Sequence, residues 1–408
     1  MRVTKRVKLS DEVGSNTHLL IVWEQAMYCL PEIEADLDSG YVILHKFHLR
    51  WSEEHVHANM GRFYGKKLPD IAHKVSHCGA GVFVVYLVND PSPDWAILNT
   101  SSGPQLVNRR IFEAKKLYRE LAGGGHKVHA TNNQSETLRD AVLLFGLELP
   151  QTESADDTVC RDLIGAETWR SLTEFFAVMN LCTKYVVLRN FEALPERHDT
   201  ELHGDIDILC SDRDELSLLA NAQRAFPQRY RRHHFVNIGG ESVPVDIRDI
   251  YERYYCERWS LDIIRQRVSK GGLYIPAQHD YLYSLAYHAL MHKRSLSPDY
   301  EVKLVALFDS IDQVDPVNSG MGYLADKLKF FMLDNGYSYV RPLDWSVYFN
   351  YRNSPEARLP LWALVTCPPT TFRHLKREVL AILTAVYQRW FRVPVAKMKK
   401  IASKNVEK

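Results

Sequence analysis

His203-Gly204-Asp205-Ile206-Asp207-Ile208-Leu209 is the stretch that decides how this chain is read. Side chains of an extended strand alternate between its two faces, so Asp205 and Asp207 share one face while Ile206 and Ile208 turn to the core. Farther along, Val243-Pro244-Val245-Asp246-Ile247-Arg248 carries a third carboxylate inside another strand-like run. Three converging hard oxygen donors can hold a phosphate-bound Mg²⁺ or Mn²⁺, and the chemistry they suggest is phosphoryl or nucleotidyl transfer. Taken alone, Asp-x-Asp also describes a solvated strand edge. The alternating apolar flanks, a preceding strand ending in Arg189 and the second Val-Asp-Ile strand favour a site.

With these residues in view, 183–300 resembles the nucleotidyltransferase superfamily, particularly its polysaccharide-linked, fukutin-like branch. The resemblance rests on Tyr185-Val186-Val187-Leu188-Arg189-Asn190, Gly204-Asp205-Ile206-Asp207, Val245-Asp246-Ile247 and a helix from about Asp280 to Lys293. It implies that Asp205 and Asp207 bind metal, that Asp246 completes the site or acts as base, and that a nucleoside triphosphate or nucleotide-activated donor is the substrate. It also implies a small-molecule or glycan acceptor in surface-polysaccharide metabolism. The family's Gly-Ser before the two aspartates is absent, and Leu188-Arg189-Asn190-Phe191-Glu192 stands in its place. Arg189 is then the expected phosphate ligand, with Arg248 neutralising charge beside it.

A chain of 408 residues exceeds one ordinary core, so two or three domains are expected. No apolar run approaches the roughly 20 residues of a membrane span, and Met1-Arg2-Val3-Thr4-Lys5-Arg6 lacks a secretory apolar segment, which together predict a cytoplasmic protein. The seven cysteines form no Cys-x-x-Cys pair and are odd in number. That spacing excludes a zinc cluster and a disulfide framework and predicts reduced, mostly buried thiols.

Between Phe372 and Lys408 ten basic side chains face two acidic ones, a balance of +8 that leaves −7 for the rest of a chain whose total is +1. Binding of nucleic acid by the whole chain is therefore not expected. Within 372–408, Leu375, Val379, Leu380, Ile382, Leu383, Val386 and Trp390 recur at helical spacing among the Lys and Arg. Such a helix fits peripheral contact with an anionic membrane face, and it equally fits docking onto the protein's own core.

The first block, 1–148, reads as β-α-β-α-β-α-β-α: His18–Trp23, Tyr28–Leu37, Tyr41–Leu49, Ser52–Tyr64, Gly81–Val88, Asn108–Leu121, Lys127–His129 and Ser135–Phe145. A polar linker over 149–160 follows, then a helix from about Glu167 to Asn180 opening the block 161–300. Residues 301–371 read as mostly helical, turning at Asn335-Gly336 into Tyr337-Ser338-Tyr339-Val340 and Ser346-Val347-Tyr348-Phe349. The fold class is α/β of the α+β kind.

Gly123-Gly124-Gly125-His126-Lys127-Val128-His129-Ala130-Thr131 places His129 at the end of a short strand before a helix. A nucleophilic histidine needs one ring nitrogen free for phosphate and the other oriented, which Thr131 or Asp140 could do. A packed, hydrogen-bonded histidine is the alternative. Residues 17–146 also resemble nucleoside diphosphate kinases, through Val128-His129-Ala130-Thr131-Asn132 with Asp140, Phe47-His48-Leu49-Arg50-Trp51-Ser52-Glu53-Glu54, Arg62-Phe63-Tyr64, and Cys78-Gly79 before Val82-Phe83-Val84-Val85. The resemblance implies a ferredoxin-like fold with His129 as phospho-acceptor, Tyr64 in a nucleotide pocket, and Lys116 or Arg119 on phosphate. Trp23-Glu24-Gln25 replaces the family's catalytic Lys-Pro-Asp, which predicts retained binding with weak turnover.

Two smaller signals remain. His288 and His292, one helical turn apart, read as half a zinc site or as a polar stripe facing the nucleotidyltransferase-like cleft. The run Arg229-Tyr230-Arg231-Arg232-His233-His234 reads as a solvated helix end or a strand lead-in.

Overall fold

The computed structural model describes residues 7–65, 68–100, 103–150, 157–198, 204–228, 230–312, 321–344, 346–350 and 353. It is a mixed α/β protein built on two five-stranded sheets. Among the described residues, no helix is long and apolar enough to cross a membrane.

The first sheet uses β1 (Thr17–Val22), β2 (Val42–Arg50) and β3 (Phe83–Asn89), with a separate hairpin of β4 (Trp95–Thr100) and β5 (Gly103–Asn108), then β6 (Val128–Ala130). An edge strand β7 (Thr158–Cys160) completes it, giving the order β6-β1-β3-β2-β7. β1 runs antiparallel to β3 and β6, and β2 antiparallel to β3. Helices Leu30–Gly40, Val56–Tyr64, Arg109–Leu121 and Gln134–Phe145 stand where periodicity placed them. Helix Ile71–Cys78 and the β4–β5 hairpin are additions that the sequence reading did not contain. Every residue of β1 is buried, because both faces of this sheet are covered.

The expected linker 149–160 requires correction at its end. Thr158, Val159 and Cys160 pair in parallel with His48, Leu49 and Arg50, so this segment belongs to the sheet. Helix Glu167–Asn180 is likewise displaced to Leu172–Cys182. Ser171 caps it by accepting from the Glu174 amide at 3.1 Å, while the Glu174 carboxylate accepts from the Arg170 amide at 2.8 Å.

The second sheet comprises β8 (Tyr185–Val187), β9 (Ile206–Cys210), β10 (Gln223–Arg224), β11 (His233–Ile238) and β12 (Glu241–Asp249) in the order β10-β11-β12-β9-β8. Only β9 and β12 run parallel; the other neighbours are antiparallel. A small ribbon of β13 (Val268–Lys270) and β14 (Leu273–Ile275) leads into helix Gln278–Met291, in which every residue from Asp280 onward is buried. Helices Pro298–Asp312 and Met321–Asp334 pack on it. The aromatic runs 337–340 and 346–349 form no regular element. The basic tail 372–408 lies outside the described residues.

One hydrophobic core passes from a face of the first sheet (Leu19, Ile21, Val85, Leu87) through helices 134–145 and 172–182 into the second sheet and helix 278–291. A second core fills the opposite face of the first sheet beneath helices 30–40 and 109–121. Arg62 ties the two blocks together. Its buried guanidinium donates to the carbonyls of Ile164, Leu218 and Leu219 at 2.7, 3.2 and 2.9 Å. The described cysteines are free thiols, with Cys29, Cys78 and Cys210 buried and Cys160 exposed.

Candidate metal and phosphate sites

Register assembles the carboxylates. Asp246 of β12 stands opposite Asp207 of β9 on one side and opposite His233 of β11 on the other, so three polar side chains form a row across three strands. Asp205 enters one residue ahead of β9, after Gly204, whose φ of 65° lies in the left-handed region that favours glycine. Ile206 and Ile208 are buried as the alternation requires.

Asp205, His233 and Asp246 offer ligand atoms that all lie within 4.8 Å of one another. His233 Nδ1 pairs with Asp246 Oδ1 and lies 3.5 Å from Asp205 Oδ2. Asp205 is the solvent-facing member, its side chain 41% exposed against 6% for Asp246. Bonds to Asp205 and then Asp246 outweigh burial and push the His233 imidazole up to about 10. Burial pushes the Asp246 carboxyl up, but Arg248 and His233 prevail and hold it at about 2. A strong local demand for positive charge between Asp205 and Asp246 follows.

The third expected ligand sits differently. Asp207 is buried and pairs with the equally buried Arg189. Burial pushes its carboxyl up against the pull of Arg189. Arg189, expected to bind phosphate, is thus committed to Asp207, and the reason is electrostatic: neither charge could be buried alone. Asn190, directly after it, takes a φ of 55°, a turn conformation that asparagine tolerates.

Arg248, expected to neutralise phosphate, is likewise held in ion pairs. Its Nη2 donates to Asp246 Oδ2 at 2.8 Å and its Nη1 to Glu252 Oε1 at 2.9 Å, while Arg232 pairs with the other oxygen of Glu252. The guanidinium lies 4.0 Å from the Tyr254 ring centroid. The Tyr254 hydroxyl in turn meets His288 Nδ1 at 2.6 Å.

His288 and His292 are therefore the inner wall behind the carboxylates rather than a zinc half-site, and among the described residues no third ligand joins them. Burial, reinforced by Arg189 and Arg248, lowers both imidazoles far below their usual range. Both ring nitrogens of His292 are buried without a hydrogen-bond partner among the described residues.

His233 was missed in the sequence as a ligand. It lies in the 229–234 run, whose strand lead-in reading holds from His233 onward. The available signal was its strand pairing with the Val-Asp-Ile run, which no local pattern displays.

In the first block, His129 Nε2 meets Asp140 Oδ2 at 2.8 Å, and Asp140 Oδ1 accepts from Arg139 at 2.7 Å. Nδ1 of His129 has no hydrogen-bond partner among the described residues. Phe63 and Tyr64 present their rings edgewise to the imidazole, 5.6 and 5.8 Å between centroids. Arg119 donates to the Val128 carbonyl at 2.9 Å, and Lys74 lies 4.2 Å from the Tyr64 ring centroid. Glu136 joins His129 and Asp140 within metal-ligand distance.

Two residues expected here are elsewhere. The Thr131 hydroxyl is buried against the Leu19 amide at 2.9 Å and the Thr137 hydroxyl at 2.7 Å, where it ties β1 to the following helix. The Lys116 ammonium lies 4.7 Å from the Phe112 ring centroid. Trp23 is buried, donates to the Tyr64 hydroxyl at 3.0 Å and packs on Trp51 and Phe83. No protein-family model matches the chain, and no curated protein matches it.

Proposed function

We propose that this protein is a divalent-metal-dependent transferase that moves a nucleotidyl or phospho-substituted group to a hydroxyl or phosphate acceptor in surface-polysaccharide metabolism. The single observation that carries the reading is the convergence of Asp205, His233 and Asp246 within 4.8 Å, with Asp207 opposite Asp246. Two carboxylates, with the His233 imidazole joining them once a divalent ion displaces its proton, suit Mn²⁺ as well as Mg²⁺. A bound divalent ion would supply charge neutralisation on the phosphates.

The residues divide the work. Asp205, the exposed member, meets solvent and donor first. Asp246, held at about 2, stays an anion at all working pH and suits anchoring charge better than accepting a proton. Arg248 and Glu252 hold Asp246 in place, and Arg189 steadies Asp207. A nucleotidyltransferase-like identity for 161–300 and a ferredoxin-like, nucleoside-diphosphate-kinase-like identity for 1–148 belong to this proposal, the second supported by the strand order β6-β1-β3-β2.

The test is Mn²⁺ binding by the full chain, followed by metal-dependent consumption of a panel of nucleoside triphosphates. Binding and consumption that both fail in Asp205→Asn support transfer. A second reading, a nucleotide-binding regulatory module without turnover, is favoured by the Arg189–Asp207 and Arg248–Asp246 pairs, which occupy the carboxylates. It predicts nucleotide binding with no consumption. The His129–Asp140 pair keeps a His129-centred phosphotransfer open to the same panel, read as phosphoprotein.

A further inference from the structure

Resting on the transferase reading, we infer that Arg231, in the turn that leads into β11, holds the phosphate of the transferred group, the role expected of Arg189. Three arginines around the carboxylates are already engaged: Arg189 with Asp207, Arg248 with Asp246 and Glu252, and Arg232 with Glu252. Each could reach an incoming anion only by leaving a buried carboxylate unpaired, which is costly.

Arg231 is placed differently. It stands two positions before His233, is half-buried, and its guanidinium makes no ion pair or hydrogen bond among the described residues. The guanidinium carbon lies 4.0 Å from the Phe226 ring centroid, and the Phe226 ring meets the His233 imidazole edgewise, 5.7 Å between centroids. Stacking of this kind covers a face of the planar guanidinium and leaves the N–H donors around its edge. About one ring's breadth therefore separates an unpaired cation from a candidate metal ligand. The backbone fixes the turn on both sides: the Arg231 amide donates to the Gln228 carbonyl at 3.1 Å, and the Ile247 amide of β12 donates to the Arg232 carbonyl at 3.0 Å.

The surroundings select an anion. Asp205 and His233 form the open side of the carboxylate cluster, with side chains 41% and 28% exposed, so a ligand reaches the cluster next to Phe226 and Arg231. Packing on Phe226 would by itself explain the stacked guanidinium, but it does not explain Nε, which is buried with no hydrogen-bond partner among the described residues. A buried donor left unmade is a cost, and a phosphate oxygen removes it with a charge-assisted bond. A polyphosphate is long enough to touch Arg231 at one phosphate and the carboxylate cluster, through a bound divalent ion, at another.

Titration calorimetry of the full chain with Mn²⁺ alone, with inorganic tripolyphosphate alone and with the two premixed tests the inference. Arg231→Met keeps an apolar stem on Phe226 without the charge and should weaken tripolyphosphate binding about tenfold or more. Arg231→Gln, a polar second variant, should fall with it, which guards against a folding defect in either. Arg231→Lys retains the charge without the fork and should lose less. Mn²⁺ affinity and the urea midpoint should match wild type in all three. A lowered midpoint with tripolyphosphate affinity unchanged in Arg231→Met and Arg231→Gln would mean packing alone and overturns the assignment, as does a loss in Arg231→Lys as large as in Arg231→Met. Wild type that binds Mn²⁺ but no tripolyphosphate overturns it too and leaves the metal reading standing. Tripolyphosphate binding that Arg231→Met weakens, in a protein that takes no Mn²⁺, upholds Arg231 and removes the metal reading instead.

Discussion

Asp207 and Asp246 face each other across the one parallel strand pair of the second sheet, yet each is paired with its own arginine, Asp207 with Arg189 and Asp246 with Arg248. Carboxylates this close repel, and the flanking guanidinium groups are what allow both to be buried. With both of these charges offset by arginines, Asp205 is left as the more open carboxylate of the cluster.

Replacing these aspartates should separate folding from chemistry. Asp205→Asn should leave the unfolding midpoint nearly unchanged while lowering metal-dependent transfer by ~10²-fold or more, the scale of one lost electrostatic contact. Asp207→Asn should cost about 3–5 kcal/mol, because it leaves the Arg189 charge buried and unpaired. Urea unfolding alongside the transfer assay checks both; equal stability losses in the two variants would contradict the exposure difference.

The His233–Asp246 pair should set a pH window for stability. His233 is raised to about 10, so its contribution is complete below its ordinary value of 6.5 and is lost as pH rises through about 10. Asp246 is depressed to about 2, so its contribution is present above the ordinary 3.8 and is lost as pH falls through about 2. Unfolding free energy should be flat from this pair between those ordinary values, and His233→Gln should remove the alkaline decline. A wild-type and variant decline of equal slope on the alkaline side would sink the assignment.

Arg62→Met should destabilise the protein by about 2–4 kcal/mol, since three carbonyls of the second block lose a charged donor. Double-probe unfolding should show the two sheets separating their transitions. Coincident, unshifted transitions would mean that Arg62 contributes little to the joint.

With γ-labelled ATP, the full chain should show slow or absent label at His129 despite nucleotide binding, because Trp23, where the proposed kinase-like identity would call for a phosphate-binding lysine, is buried in the core. His129→Ala should erase whatever label forms. Rapid stoichiometric labelling would overturn the expectation of weak turnover at His129.

Long periodic segments were legible from the sequence: four strands and four helices of the first block, β9, β12 and helix 278–291 stand close to where alternation and 3.6-residue spacing put them, while helix Ile71–Cys78 and the β4–β5 hairpin were not read. Asp205 and Asp246 were found because each sits beside a strand pattern. His233 was not, since its place depends on how β11 registers against β12, a long-range choice that leaves no local mark. Arg189 and Arg248 were read as phosphate ligands without their ion pairs for the same reason; their partners are across the sheet or one turn on. Thr131 looked catalytic by proximity along the chain, although strand alternation turns it into the β1 edge.

The pairing of β7 with β2 bears on how this protein can be divided. Asp162, just beyond β7, accepts from the Ser52 amide and the Asn59 side chain at 3.0 and 2.7 Å, so the chain is held down where it leaves the strand. A fragment ending at Pro150 would bare the outer edge of β2 and invite its own copies to pair there. The protein is thus inherited, expressed and assayed most safely as a whole, with modularity in its sequence and none at the seam.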